Sequence, residues 1–273
     1  MMLRLFKRPA FLVLLAALSI LSGSTALADP FEEGNSAYFD GRLDDATLKY
    51  NSVVDSTDNP PPSVWLNLGN IAFQKDELGT ARYFFEKTTG SGGGKELLER
   101  ASHNLALTQS TLAEKYAPQI EKGTLSYDES HSPTYALFTL FSGSALAWIL
   151  VLLTLLVFLA LGGWTFLLPG RLNTLGKTAF LSLLLPFVLV AILYAGRVWV
   201  DENYQFGVVV ASQGQFLEAP DDNAPGSPLP EGLRIRLLNH NEGGYFKVQR
   251  SDGTVGYVKD DQFWALDDRH TLK

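Results

Sequence analysis

Residues 65–87, WLNLGNIAFQKDELGTARYFFEK, carry the pattern of a soluble helical hairpin. Apolar residues recur at helical spacing, small residues stand where two helices would touch, and charged residues fill the outer positions. The stretch therefore predicts two antiparallel helices that pack on each other. Yet the same chain continues into two long apolar stretches that a soluble domain would not carry.

The small and aromatic residues of this hairpin occur in a recognisable order. Trp65, Leu68-Gly69, Ala81 and Phe85 occupy the bulky, Leu-Gly, Ala and aromatic positions of the tetratricopeptide repeat, which the stretch resembles. In that pattern Gly and Ala stand where the two helices cross, so their backbones can approach closely. The resemblance implies an all-α array of helical repeats.

Two further copies extend the array over residues 29–130. Gly34, Ala46 and Tyr50 repeat the pattern 35 residues earlier, and Asn104-Leu105-Ala106 matches Asn67-Leu68-Gly69 on a predicted helix from about Lys95 to Tyr116. Two and a half repeats are few, because stacking neighbours supply the core of such arrays. We therefore expect this domain to depend on a partner or on the membrane-proximal segment.

The resemblance also implies a binding groove, because the first helix of each repeat lines the concave face. The predicted groove residues are polar: Asn35, Asn67, Asn70, Arg100 and Asn104. Phe31 stands where a peptide-carboxylate clamp has Lys, so carboxylate specificity is not expected. The alternative for each residue singly is an ordinary solvated helix position.

A segment over 135–200 predicts two transmembrane helices, at about 145–168 and 178–198. Residues 135–168 carry no charge and exceed the length of one span, so Tyr135–Phe141 is expected to lie at the membrane interface. The loop 169–177 between the spans has two basic residues and no acidic one, which predicts a cytoplasmic loop. Neither span has an ionisable residue at mid-membrane, which disfavours a transport path.

The N-terminus predicts a signal peptide over residues 1–28. A basic head precedes the apolar run Phe11–Leu21, and Ala26-Leu27-Ala28 places small residues before a cleavage site after Ala28. The alternative is an uncleaved anchor, but this run is too short to span the membrane. Cleavage would place residues 29–130 and 201–273 outside the cytoplasm of a bacterium, on the periplasmic side of its inner membrane.

Residues 201–273 change to a strand pattern. Asp252-Gly253 predicts a hairpin turn between Tyr245–Arg250 and Thr254–Lys259. Val208–Ala211, Leu229–Ile235 and Asp252–Val258 resemble a bacterial SH3 (SH3b) domain.

That resemblance implies a small all-β SH3-like barrel that binds a peptide or a cell-wall stem peptide. Its candidate surface residues are Tyr245, Tyr257 and Trp264, although many relatives carry Trp where the two tyrosines stand. The alternative is a domain whose aromatic residues all belong to the core.

Composition argues against several functions. The chain has no cysteine and a net charge of −7, so thiolate chemistry is excluded and nucleic-acid binding is disfavoured. Its four histidines are scattered without metal-ligand spacing. Nucleophile-elbow, zinc-protease and nucleotide-binding motifs do not occur. We therefore expect neither catalysis nor a cofactor.

The order of signal peptide, helical repeats, two spans and SH3b-like domain resembles the BatE proteins of aerotolerance (Bat) operons. This resemblance implies a multidomain membrane scaffold that works beside von Willebrand A-domain membrane proteins and a MoxR-type ATPase in an envelope stress complex. The alternative function is an envelope sensor that binds peptidoglycan through the SH3b-like domain.

Overall fold

The computed structural model describes residues 29–122, 133–167 and 170–267. These residues form a helical region (29–122), a span region (133–203) and a sheet region (204–267). The predicted signal peptide 1–28, with its cleavage site, lies outside the described residues. The ends of the two predicted soluble domains, residues 123–130 and 268–273, also lie outside them.

Five helices form the helical region: α1 (Pro30–Phe39), α2 (Leu43–Ser56), α3 (Pro62–Gln74), α4 (Leu78–Gly90) and α5 (Lys95–Glu121). Asp29 caps α1 by accepting a hydrogen bond from the Phe31 backbone N–H at 3.1 Å. Pro62 opens α3 at a position where its missing N–H costs nothing. The predicted helix pairs are confirmed, and α5 continues past its predicted end.

The first hairpin (α1 and α2) and the second hairpin (α3 and α4) share one packing device. A Cβ on Gly34 would lie 2.7 Å from Tyr50 Cε1, and a Cβ on Gly69 would lie 2.6 Å from Phe85 Cε1. A Cβ at these distances would force the aromatic ring to move, so each glycine allows the ring to lie against the backbone of the facing helix. The 35-residue step of the sequence therefore repeats in the packing.

The span region contains a short helix and two long ones: α6 (Pro133–Thr139), α7 (Gly143–Gly162, continued by a π-helical turn Gly163–Leu167) and α8 (Arg171–Asn203). Within Gly143–Phe166 and Asn173–Asn203, an 18-residue window has a mean hydropathy of 2.8 and 2.4, and almost none of the residues in these windows are buried in the protein. Both are long and apolar enough to cross a membrane.

The connection between the long helices is shorter than the predicted loop 169–177, because α8 already begins at Arg171. Gly170 has a φ of +57°, which lets the chain reverse in one turn. The Asn173 side-chain amide donates to the Trp164 carbonyl at 2.8 Å, and Gly176 packs against the Trp164 backbone. Residues 171–177 therefore belong to α8, although their composition predicts a loop.

Seven antiparallel strands form the sheet region: β1 (Gln205–Val209), β2 (Gly214–Leu217), β3 (Gly226–Leu229), β4 (Arg234–Glu242), β5 (Tyr245–Gln249), β6 (Val255–Lys259) and β7 (Phe263–Ala265). Their order is β3-β2-β6-β5-β4-β1-β7. The predicted β5–β6 hairpin is confirmed, with Gln249 opposite Val255 and Gly253 at a φ of +87°.

The predicted closed barrel is not formed by the described strands, because the edge strands β3 and β7 do not pair. Trp264 of β7 packs against the helical region, and β3 contains Pro228, whose nitrogen cannot donate a ladder hydrogen bond. The sheet is therefore open, and one of its edges is next to the helices.

Candidate functional site: the contact between the helical and sheet regions

The apolar core of the helical region continues into the sheet region. Val208 belongs to the buried cluster of the helices, and Val210, Trp264 and Leu266 pack against that cluster. The Trp264 ring meets Tyr83 edge-on, with centroids 5.2 Å apart and planes at 80°. Such edge-to-face aromatic pairs add to the burial of apolar area. The helical and sheet regions thus share one core, although the two long apolar helices lie between them in the sequence.

Gly79 in the first turn of α4 lets the β1 backbone approach. A Cβ at this position would lie 2.5 Å from the Val209 carbonyl oxygen, and 2.8 Å from Glu231 Cγ. A backbone carbonyl cannot move aside like the end of a flexible side chain. This glycine is therefore required for the sheet to dock as it does.

Glu231 is the polar centre of the contact and is only 2% exposed. Its Oε1 accepts a hydrogen bond from the Gly79 backbone N–H at 2.8 Å, and its Oε2 pairs with Lys115 Nζ at 2.8 Å. Helix α4 has no side-chain cap of its own. A carboxylate at a helix N-terminus satisfies an unpaired N–H and interacts favourably with the helix dipole. The sheet region therefore caps a helix of the other region.

Two side chains of α5, Lys115 and Tyr116, contact Glu231. Desolvation lowers the pKa of the Lys115 ammonium, but the hydrogen bond to Glu231 and its charge outweigh this, so the pKa lies above its ordinary value. Tyr116 accepts a hydrogen bond from the Glu231 backbone N–H at 3.2 Å, and burial raises the pKa of its phenol. Both groups therefore remain protonated at neutral pH.

The next residue, Gly232, is held as closely as Glu231. Its carbonyl accepts a hydrogen bond from Arg82 Nη1 at 2.8 Å, and Arg82 is only 2% exposed. Gly232 has a φ of +76°, and a Cβ there would lie 2.3 Å from Leu112 Cδ1. Both the backbone conformation and the space require glycine.

Arg82 is neutralised within its own helix. Its Nε lies 2.8 Å from Glu86 Oε1, and Arg234 of the sheet region lies 3.2 Å from the other oxygen of Glu86. A buried charge needs such partners, since an unpaired one costs several kcal/mol, on the order of 3–5. The two arginines therefore share one carboxylate across the contact.

A cleft of about 720 Å³ opens beside this contact. Its walls come from both regions and include Trp65, Gln109, Arg234 and Leu266. Lys87 Nζ lies over the Trp65 ring, 5.2 Å from its centroid, and donates to the Leu266 carbonyl at 3.2 Å. The cleft thus has an aromatic wall and charges of both signs, and it exists only while the sheet is docked.

The predicted groove residues fall into two hydrogen-bonded sets and one separate residue. Asn67 Nδ2 donates to Asn35 Oδ1 at 3.1 Å, and the Tyr50 hydroxyl donates to the same oxygen at 2.8 Å. Burial raises the pKa of Tyr50 to about 12. Asn104 Nδ2 donates to Asn70 Oδ1 at 2.8 Å. These asparagines link α1 to α3 and α3 to α5.

Arg100 is exposed on α5 and is not joined to these hydrogen bonds by any contact that the structure gives. The structure therefore brings four of the five predicted groove residues together in pairs. Their role in binding a partner stays a prediction.

The predicted SH3b surface residues do not form one patch with a common environment. Tyr245 donates a hydrogen bond to Asp222, which also pairs with Lys259 at 2.8 Å. This hydrogen bond raises the pKa of Tyr245, and those from Lys259 and Tyr245 lower the pKa of Asp222. Tyr257 is half-buried on β6, whereas Trp264 faces the helical region.

Aromatic rings also join the sheet region to the spans. Tyr135 of α6 lies 5.3 Å from Tyr204 and 5.4 Å from Phe206, measured between ring centroids. The Arg236 guanidinium lies over the Tyr204 ring at 3.8 Å, and its Nη2 donates to the Asn203 carbonyl. At the same end of α8, Arg197 pairs with Asp201 at 3.0 Å. The sheet is therefore held close to the end of α8.

Sequence patterns do not predict the residues that join the two regions: Gly79, Arg82, Lys115, Glu231 and Gly232. Two signals were present. Glu231 stands between Pro230 and Gly232 in an otherwise apolar stretch, and Gly79 stands in the first turn of a helix, where glycine is unfavourable. Neither signal identifies the partner surface.

No family model, curated protein or solved structure matches this chain.

Proposed function

We propose that the chain is a membrane-anchored docking protein without catalysis of its own. Two spans anchor it, and its helical and sheet regions form one unit on one side of the bilayer that binds protein partners. The contact between the two regions carries this proposal. Since the regions flank the two spans in sequence, a buried contact between them requires that both lie on the same side.

The identity of the modules is part of the proposal. We propose a short tetratricopeptide array for the helical region, supported by the Gly34–Tyr50 and Gly69–Phe85 packing at a 35-residue step. The SH3b assignment of the sheet region has support from the sequence and from the β5–β6 hairpin. The open sheet departs from it.

The partners and the compartment follow from the resemblance to BatE proteins. We propose that the unit lies on the periplasmic side of a bacterial inner membrane and binds von Willebrand A-domain membrane proteins linked to a MoxR-type ATPase. Membrane anchoring favours such partners, because two proteins held in one plane meet at a raised effective concentration.

Thiol labelling tests the layout directly, because the chain contains no cysteine. Single cysteines are placed at Ser52 in the helical region, at Asp261 in the sheet region and at Thr174 in the first turn of α8, beside the connection between the two long helices. A maleimide that cannot cross membranes is added to spheroplasts of the host that expresses the full chain. We expect labelling at Ser52 and Asp261 and protection at Thr174. Labelling at only one of the two soluble positions would overturn the proposal.

A further inference from the structure

The turn Pro230-Glu231-Gly232 between β3 and β4 inserts into a pocket that belongs entirely to the helical region. The pocket walls are the first turn of α4, Arg82 of the same helix, and three residues of α5: Leu112, Lys115 and Tyr116. A charged turn enters it, whereas most cores are filled by apolar side chains. The pocket therefore has the chemistry of a recognition site.

Each wall recognises a different feature of the turn. The Gly79 N–H and Lys115 Nζ bind the carboxylate, the Tyr116 hydroxyl binds the Glu231 N–H, and Arg82 binds the Gly232 carbonyl. Leu112 leaves no room for a side chain after the glutamate. Only a glutamate followed by glycine, in a turn with positive φ at the glycine, satisfies all of these groups.

The bound groups all come from two consecutive residues, so no other part of the sheet is needed to make these contacts. Contacts between parts of one chain resemble transient protein–protein interfaces in their polarity. Glu231 is buried, but the Lys115 side chain is 38% exposed. An ion pair that is open to water adds little stability, so stability alone explains this charge poorly. The charge is better explained if the turn can leave the pocket and a partner can take its place.

We propose that this pocket is a recognition site for an acidic Glu-Gly turn, that Glu231-Gly232 fills it in the resting chain, and that a partner protein binds by presenting a turn of the same chemistry. The site deepens the proposed docking function and rests on it. Because the resident turn is tethered, a partner competes only when a second contact, such as membrane anchoring, raises its effective concentration. The resident turn thus prevents docking by a partner that lacks such a second contact.

Hydrogen exchange of the full chain in lipid nanodiscs provides the test. Glu231→Ala and Gly232→Ala both change only the turn and leave every pocket group of the helical region intact. Glu218→Ala, an exposed acidic residue on the same sheet region, is the matched control. We expect amides in the first turn of α4 to exchange at least tenfold faster in the two turn variants, and at the wild-type rate in Glu218→Ala. Amides of α1 and α2 report whether each variant is folded.

A cyclic peptide that carries Leu-Pro-Glu-Gly-Leu, the sequence of residues 229–233, is then added to the opened variant. We expect it to restore protection of the first turn of α4, while the same peptide with Gln in place of Glu has no effect. Unchanged exchange in both turn variants, or no protection by the Glu peptide in an opened, folded variant, would overturn the proposal. Concentration-dependent exchange of the turn between two copies of the chain would also overturn it, because the occupant would be another copy.

These outcomes are separate from those of the docking proposal. A negative peptide result leaves the labelling pattern at Ser52, Asp261 and Thr174 unaffected. If labelling places the two regions on opposite sides, docking fails before the peptide is added.

Discussion

The two helical hairpins are alike inside and different outside. Inside, Gly34 lies against Tyr50 as Gly69 lies against Phe85. Outside, Leu48 and Tyr83 occupy equivalent positions 35 residues apart, but Leu48 is 67% exposed and Tyr83 is 0% exposed because Trp264 and the neighbouring helices cover it. The repeated residues thus build the scaffold, and the residues that vary between copies select which hairpin the sheet binds.

The equivalent positions show how few residues make this difference. Asp44 stands in α2 where Gly79 stands in α4, and Thr47 stands where Arg82 stands. An aspartate in place of Gly79 would block the approach of the β1 backbone. A threonine in place of Arg82 would be too short to reach the Gly232 carbonyl. Docking specificity in this chain therefore depends on a glycine and an arginine as much as on aromatic packing.

The largest expected loss of unfolding free energy comes from a substitution on the outer face of the second hairpin, and the equivalent substitution on the first hairpin should cost little. Tyr83→Ala removes a buried ring from the shared core, which costs about 3–5 kcal/mol of unfolding free energy for a large aromatic residue. The matched change Leu48→Ala touches an exposed side chain and is expected to stay within about 0.5 kcal/mol. Chemical denaturation of the full chain in nanodiscs measures both. Equal losses would show that the sheet does not cover the second hairpin.

A smaller effect tests the similarity of the hairpin interiors. Gly34→Ala and Gly69→Ala each force an aromatic ring to move, which is expected to cost about 1–3 kcal/mol, as overpacking does. Hydrogen exchange of the full chain, measured separately for the amides of each hairpin, reports each change. The two losses should agree within about 1 kcal/mol. A neutral Gly34→Ala beside a costly Gly69→Ala would contradict the common packing.

Tyr50→Phe tests a polar feature that only the first hairpin has, since Phe85 occupies the equivalent position. The change removes the hydroxyl that bonds Asn35 and Asn67. The expected loss is about 1–2 kcal/mol, because two hydrogen bonds with a typical net value of about 1 kcal/mol each are removed. Phe85→Leu is unsuitable as a control because it changes volume, so unaltered exchange in α4, which does not bond the Tyr50 hydroxyl, serves instead. A loss that spreads to α4 would contradict a local role.

The smallest expected effect is a dependence on high pH. The ordinary pKa of Lys115 is 10.5, and its folded pKa lies above this value. A group whose pKa is raised by folding contributes its stability in full below the unfolded pKa and loses it as the pH rises through the folded pKa. Tyr116, whose pKa is also raised, acts with the same sign.

The protection of α4 should therefore stay constant at pH values well below 10.0, the ordinary pKa of Tyr116, and fall as the pH rises above it and above 10.5, the ordinary pKa of Lys115. The variant Lys115→Arg keeps its charge at these pH values and should lose less protection. Exchange rates corrected for their intrinsic pH dependence report the difference. Equal losses in the two proteins would show that Lys115 does not hold Glu231.

Local signals predicted most of the elements. Helical periodicity around Gly34 and Gly69 predicts both hairpins, long charge-free stretches predict the spans, and Asp252-Gly253 predicts the β5–β6 turn. Each of these signals lies within about one element, where propensity and periodicity act. The connection at 169–177 was misjudged in length because its two basic residues suit both a loop and the first turns of a helix.

The contact between the regions could not be predicted in the same way. Gly79 and Glu231 are 152 residues apart, and the spans lie between them. No periodic pattern links two such positions, and a buried Arg82 looks like any helical arginine in the sequence. The open sheet was also missed, since strand patterns do not reveal whether an edge strand pairs with the other edge or packs against helices.

The central claim is that the helical and sheet regions form one unit on the same side of the membrane. Lys87→Cys and Leu266→Cys introduce the only two thiols of the chain on the two sides of the contact, where Lys87 Nζ lies 3.2 Å from the Leu266 carbonyl. A short bismaleimide added to native membranes should join the two positions within one chain, as mass spectrometry of the linked peptides shows. The matched pair Leu48→Cys and Leu266→Cys should give no such link. Absence of the link between positions 87 and 266, while both introduced thiols react singly, would contradict the claim.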